Sequence, residues 1–127
     1  MFSNTKAFSS FSVDNLEKAR HFYSEILGLK VIENDMGILE IHISDIANII
    51  IYPKPDHTPA TYTVLNFPVE NIETSVERLK QLGVIFEIYD SEEIETDTNG
   101  IARGEGPSIA WFKDPAGNIL SVLEEMN

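Results

Sequence analysis

The chain contains no cysteine and few basic residues. Its 127 residues include 9 Lys+Arg against 21 Asp+Glu, which gives a formal charge of −12. The absence of thiols excludes a disulfide framework, a thiolate metal site and a cysteine nucleophile, and it suits a reducing compartment. The shortage of cations argues against nucleic-acid phosphates and anionic membrane surfaces as partners, because both are bound mainly by Lys and Arg.

Long apolar runs are also lacking. The run from Ile49 to Tyr52 is the length of a strand, far short of the roughly 20 residues of a membrane-spanning helix. Met1 to Phe8 carries one Lys and no apolar signal region. Hydrophobic residues make up 43% of the chain, close to the globular share. These features predict one folded domain in the cytoplasm.

The sequence contains one internal repeat. The segment Val13 to Glu17 is echoed by Val69 to Glu73, 56 residues later, and Leu27 to Leu29 is echoed by Leu82 to Val84, 55 residues later. Two echoes in nearly the same register predict two similar modules.

Each copy has the pattern of a strand, a helix and three more strands. Asn15 and Asn71 stand where a side chain can cap the first turn of a helix, and Gly28 and Gly83 stand where the helices should end. Proline residues between positions 53 and 60 predict an extended linker. Alternating or β-branched stretches predict the following strands: Lys6–Val13, Leu29–Glu33, Ile38–Ile43, Asn48–Tyr52, Tyr62–Val69, Ile85–Tyr89, Ile109–Lys113 and Ile119–Leu123.

Four motifs carry a resemblance to a known family: Val13 to Leu16, Phe22-Tyr23, Leu27 to Leu29, and the turn Phe112 to Asn118. With them the chain resembles the glyoxalase, bleomycin-resistance and extradiol-dioxygenase superfamily, also called vicinal oxygen chelate proteins. The resemblance implies an α+β fold of two tandem β-α-β-β-β modules, whose mixed sheets curl around a shared cleft with the helices outside. Residues 1–127 would form a single domain, with module one at about 1–53, a linker at 53–60 and module two at about 61–127.

The resemblance also indicates where a metal would be bound. Metal-dependent members carry four His, Gln or Glu ligands, on the first and last strands of each module. Counting from the shared motifs gives Phe8, Val64, Ser121 and, for the fourth, Ile50 or Tyr52. Because Phe and Val have no donor atoms and Ser is a poor ligand, we predict no metal cofactor.

The three histidines are scattered. His42 alternates with Glu40 on one strand, so these two could serve as relocated metal ligands, or they could form a half-exposed polar strand face. His57 lies in the linker, where it either covers the cleft or is solvated. His21 is expected to be a solvated helix residue.

Without a metal, the cleft has the composition of a small-molecule pocket, namely apolar walls with a few polar groups. Trp111 either offers a ring surface to a flat or cationic ligand or only packs its strand. Arg103 either holds an anionic group or is a surface side chain. The predicted ligand-binding residues are Phe8, Ser10, Tyr52, Val64, Asn66, Arg103, Trp111 and Ser121.

The segment from Asp90 to Asp97 holds five carboxylates in eight residues. It is either a solvated loop or a gate that concentrates cationic ligands. The glycine-rich residues 100–107 that follow predict a mobile lid.

These features favour a metal-independent protein that binds a small, cationic molecule and pairs as a homodimer. A second hypothesis is a metal-dependent lyase, isomerase or dioxygenase that uses Glu40 and His42 as relocated ligands. A third is an interaction or sensing module whose cleft is filled by side chains.

Overall fold

The two halves of the repeat fold into two units of the same design. The computed structural model describes residues 1–45, 47–104 and 106–125, and the chain divides into Met1–Pro59 and Ala60–Asn127. Each unit has one helical segment and one four-stranded mixed sheet. The predicted α+β class with tandem β-α-β-β-β modules is confirmed.

The first unit orders its strands β1-β4-β3-β2. Strands β1 and β4 are parallel, whereas the β4–β3 and β3–β2 pairs are antiparallel. The predicted strand at 6–13 begins later than expected, so that Phe8 lies before it. The elements are β1 (Ser10–Val13), α1 (Leu16–His21) with a π-helical continuation (Phe22–Ile26), β2 (Lys30–Glu33), β3 (Leu39–His42) and β4 (Ile49–Pro53).

The helix of this unit begins as its sequence predicts. The Asn15 side chain accepts a hydrogen bond from the Lys18 backbone N–H at 2.9 Å, which satisfies one of the free amides of the first turn. The π-helical continuation carries two adjacent buried aromatics, Phe22 and Tyr23. The Tyr23 ring lies 6.2 Å from that of Phe11, so this helical face covers the side of β1 that carries Phe11.

The core of the first unit lies on this same side of the sheet. In the pairing register Val13, Ile51 and Leu39 belong to rows whose side chains share one face, and each has 0% exposure. The opposite face, which we call the helix-free face, carries the side chains of the alternating positions.

The second unit repeats the design with strand order β5-β8-β7-β6. Asn71 caps its helix by accepting from the Thr74 backbone N–H at 3.0 Å, and Gly83 follows the helix with φ +95°, as the sequence predicts. Its elements are β5 (Thr63–Val69), α2 (Ile72–Gln81), β6 (Ile101–Ala102), β7 (Ile109–Lys113) and β8 (Ile119–Glu124).

The predicted strand at Ile85–Tyr89 is wrong. That segment makes one isolated bridge, Phe86 to Phe112, and the free edge of β7 is completed instead by Ile101–Ala102. The chain leaves the edge because residues 89–96 turn back on themselves, with the Thr96 N–H bonded to the Tyr89 carbonyl at 3.0 Å.

The expectation of a mobile lid at residues 100–107 is wrong for part of that segment, because Ile101–Ala102 pairs with β7. Ile101 is 2% exposed and belongs to β6, so the segment begins as sheet. Glu105 lies outside the described residues.

The turn between β7 and β8 is closed by one carboxylate. Asp114 is 4% exposed, and its Oδ1 accepts from the backbone N–H groups of Ala116 and Asn118, each at 2.9 Å. Its Oδ2 accepts from the Asn118 side-chain amide at 3.0 Å. This network aligns β8 against β7 and thereby sets the position of Ser121.

No helix among the described residues is long and apolar enough to span a membrane.

Candidate functional site

The helix-free face of the first sheet brings together several of the predicted residues. In the register, Ser10 pairs with Ile50 and Ser12 with Tyr52, while Glu40 pairs with Ile50 from the other side. Side chains in such rows point to the same face. Ser10, Tyr52 and Glu40 therefore share this face, whereas Phe8 lies before β1 with 65% exposure.

Ser12 and His57 form a contact that the sequence did not predict. The Ser12 Oγ and His57 Nδ1 atoms lie 2.6 Å apart in a hydrogen bond. The imidazole reaches β1 because the linker makes a turn in which the His57 N–H donates to the Lys54 carbonyl at 3.0 Å. The contact joins residues 45 positions apart, so the only sequence signal was the proline-rich turn that carries His57.

Glu40 and His42 form a partly satisfied polar pair on β3. Glu40 Oε2 accepts from the Asn34 side-chain amide at 3.1 Å, and Glu40 Oε1 lies 3.9 Å from His42 Nε2. His42 Nε2 is buried and has no hydrogen-bond partner within the part of the chain that the structure describes. A buried nitrogen in this state can take a ligand group or a metal at low cost, because its desolvation is already incurred.

The second sheet carries three predicted residues in one row across neighbouring strands. Asn66 pairs with Ser121, and Ser121 pairs with Trp111. Ser121 is fully buried, and its hydroxyl donates to Asn66 Oδ1 at 2.6 Å. Three neighbouring strands thus present an amide, a hydroxyl and an indole in one line.

Two further residues, which the sequence analysis did not single out, fix the indole of Trp111. Its Nε1–H donates to the Thr63 hydroxyl at 3.1 Å. The ring of Tyr89 lies 5.6 Å from that of Trp111 at an angle of 80°. Thr63 is next to the predicted Val64, and a register shift between Thr63 and Leu65 makes Val64 the extra residue of a bulge.

Arg103 is held away from this row, against α2. Its guanidinium donates to Glu73 Oε1 at 2.6 Å and lies 3.6 Å from Asp97 Oδ2. The hydrogen bond from Arg103 lowers the pKa of Glu73. The pKa of Asp97 is lowered chiefly by the backbone N–H of Ile101, with smaller contributions from Asn99 and Arg103. Because the guanidinium is already paired with carboxylates, we leave Arg103 out of the proposed site.

We expect Arg103→Gln to change the melting temperature by only about 2 °C, because exposed ion pairs are screened by solvent. Carboxyl groups with lowered pKa values stabilise the fold above their unfolded pKa, and this contribution is lost as the pH falls through the folded pKa. The difference between Arg103→Gln and the unaltered chain should therefore shrink below about pH 4. Thermal unfolding over a pH series measures this difference in stability. A difference that grows on acidification would contradict the pairing of Arg103 with the two carboxylates.

The family model of the Glyoxalase/Bleomycin resistance protein/Dioxygenase superfamily matches residues 8–122. The chain therefore belongs to this superfamily. A search of curated proteins found no match.

Solved structures show the same fold. TnmS3, an antibiotic binding protein from Streptomyces sp. CB03234, is similar with a TM-score of 0.72 and 19% identity, covering 99% of both chains. The fosfomycin resistance protein FosX from Listeria monocytogenes has a TM-score of 0.71 and 19% identity, covering 99% of this chain and 96% of its own. Lactoylglutathione lyase from Agrobacterium tumefaciens has a TM-score of 0.66 and 17% identity, covering 95% and 93%.

The residues at the metal positions of the superfamily do not fit a metal. Phe8, Val64 and Ile50 have no donor atom, and the hydroxyl of Ser121 is committed to Asn66. Tyr52 alone cannot replace a set of three or four ligands. Among the described residues, no group of three or more His, Cys, Asp or Glu side chains could hold a metal ion.

Proposed function

We propose that this chain is a metal-independent binding protein for a small molecule, held by apolar side chains and a few polar groups. The observation that carries the proposal is the chemistry of the four metal positions, where donors are replaced by Phe8, Val64, Ser121 and Ile50 or Tyr52. Antibiotic binding by the similar TnmS3 supports a role in sequestration. In such a role the protein retains the ligand through complementary shape and charge and forms no covalent bond with it.

We further propose that the ligand is cationic or neutral. The formal charge of −12 raises the local concentration of cations and repels anions. Five carboxylates between Asp90 and Asp97 lie in the same segment as Tyr89, which contacts Trp111. The amide of Asn66 supplies a polar group that would orient the ligand.

The test is ligand binding with and without chelator. A small-molecule library is screened by thermal shift, and hits are titrated before and after dialysis against EDTA. We expect each affinity to change by less than about twofold, because no metal takes part in binding. An affinity that falls on chelation and returns with one divalent metal would contradict the proposal.

The second candidate is a metal-dependent lyase, isomerase or dioxygenase with Glu40 and His42 as relocated ligands. The observation that favours it is His42 Nε2, which is buried, has no hydrogen-bond partner among the residues that the structure describes, and lies 3.9 Å from Glu40 Oε1. Elemental analysis of the purified chain separates the two candidates. A stoichiometric transition metal that is lost in Glu40→Gln would favour the enzyme.

We also propose a cytoplasmic homodimer in which the whole chain acts as one domain. The absence of cysteine suits the cytoplasm, and sedimentation velocity measures the oligomeric state.

A further inference from the structure

The indole of Trp111 lies across the second sheet. Trp111 is on β7 and its hydrogen-bond acceptor, Thr63, is on β5, with β8 between them. Neighbouring strands are about 4.8 Å apart, so a bond of 3.1 Å between their side chains requires the indole to extend over β8. Because its N–H is used by Thr63, the indole has only its ring surface left to offer a ligand.

Tyr89 adds a second ring to this surface. It meets Trp111 nearly at a right angle, so the two rings form a corner. Tyr89 is held by hydrogen bonds to Thr96: its backbone N–H donates to the Thr96 hydroxyl at 2.9 Å, and its carbonyl accepts from the Thr96 N–H at 3.0 Å and from the Thr96 hydroxyl at 3.3 Å. A flat ring can stack on one aromatic wall of such a corner and meet the edge of the other.

Asn66 carries amide N–H donors in the same strand row as Trp111. The buried Ser121 hydroxyl donates to Asn66 Oδ1. This bond fixes the orientation of the amide and leaves its nitrogen free of Ser121. Within residues 1–45, 47–104 and 106–125, no group accepts a hydrogen bond from that nitrogen. Asn66 is exposed, and it therefore offers two donors to a ligand.

The spacing between the N–H end of the indole and the amide of Asn66 suits a fused-ring molecule. Thr63, which marks the N–H end of the indole, pairs with Ile119, whereas Asn66 pairs with Ser121. Two residues along a strand correspond to about 6.6 Å. A ring system over the indole can therefore carry an acceptor atom to the amide of Asn66.

The surrounding charge selects the type of acceptor. A carboxylate or phosphate would meet repulsion from the acidic segment between Asp90 and Asp97 and from the formal charge of −12. A neutral carbonyl oxygen accepts the Asn66 hydrogen bond without that repulsion.

We propose that Trp111, Tyr89 and Asn66 form a subsite for a planar fused ring that bears a neutral carbonyl group. This inference rests on the proposed binding function and names its ligand class. Ring stacking on Trp111 supplies contact area, and the donors of Asn66 select the carbonyl.

Coumarin, a flat neutral carbonyl compound, is the probe that tests the subsite. Trp111 is the only Trp of the chain, so the single indole N–H signal in a ¹H–¹⁵N spectrum reports contact with its ring. We expect coumarin to shift that signal, and we expect cyclohexanecarboxamide, which lacks a flat ring, to leave it in place. Naphthalene-1-sulfonate, which is flat but anionic, should bind at least about tenfold more weakly than coumarin.

Asn66→Asp separates the carbonyl contact from stacking. The Asp side chain still accepts from Ser121 but has no amide donors, so calorimetry should find coumarin binding weakened by about tenfold or more. N-methylquinolinium, which is flat and has no carbonyl, should keep its affinity within about threefold or bind more tightly. Asn99→Asp adds the same charge outside the row, at a turn where Asn99 Oδ1 accepts from Lys80 of α2, and should leave coumarin binding unchanged.

An unshifted indole signal, or coumarin binding that is equal in Asn66→Asp and the unaltered chain, would overturn the subsite. If other small molecules still stabilise the chain in that case, the proposed binding function stands and only this inference fails. If no compound binds, both fail.

Discussion

Asp114→Ala is expected to lower the free energy of unfolding by about 3 kcal/mol. The substitution leaves two backbone N–H groups and the Asn118 side-chain amide without their acceptor. Each hydrogen bond to a charged group contributes roughly 1.5–3 kcal/mol, and water entering the turn recovers part of the loss. For a chain of this size we expect the melting temperature to fall by about 10 °C or more.

Chemical and thermal unfolding followed by circular dichroism measure the change. Asp114→Asn is the matched control, because its remaining oxygen can still accept from Ala116 and Asn118 while the second oxygen is lost. Its stability should lie between those of Asp114→Ala and the unaltered chain. If Asp114→Ala unfolds at the same denaturant concentration as the unaltered chain, the carboxylate does not hold the turn.

The features that local sequence determines were predicted correctly. Asn15, Asn71 and Asp114 each accept hydrogen bonds from groups two to four residues away. Such contacts need only the right side chain at the right spacing. For this reason the helix starts and the β7–β8 turn could be predicted without knowledge of the tertiary structure.

The strand errors have a non-local cause. Residues 85–89 have the composition of a strand, but the edge of β7 has limited length and Ile101–Ala102 takes part of it. A two-residue strand between glycine-rich segments gives no periodic signal. The competition between two segments for one edge is decided by the tertiary structure.

Part of the candidate site could be predicted from the sequence. The alternation of strand residues predicts that Asn66 shares a face with Ser121, and the pairing bears this out. The bulge at Val64 was not predictable, because one extra residue shifts the register without a distinctive residue type. The Ser12–His57 contact depends on how the linker turns, and the pairing of Arg103 depends on α2.

Trp111→Ala is expected to weaken coumarin binding by about 30-fold. Removal of the indole deletes the stacking surface that lies across β8, a loss of roughly 2 kcal/mol in binding free energy, which corresponds to that factor. Calorimetric titration measures the affinity, and the melting temperature of the variant shows whether the fold is retained.

Two matched variants separate the ring from its position. Trp111→Phe keeps a flat ring but loses the N–H that bonds to Thr63, whereas Thr63→Val keeps the indole and removes its acceptor. If the position of the indole matters as we propose, both should bind coumarin more weakly than the unaltered chain and more tightly than Trp111→Ala. Equal affinity in Trp111→Ala and the unaltered chain would mean that the ligand binds elsewhere. The aromatic corner would then serve only to pack Tyr89 and its acidic segment against the sheet.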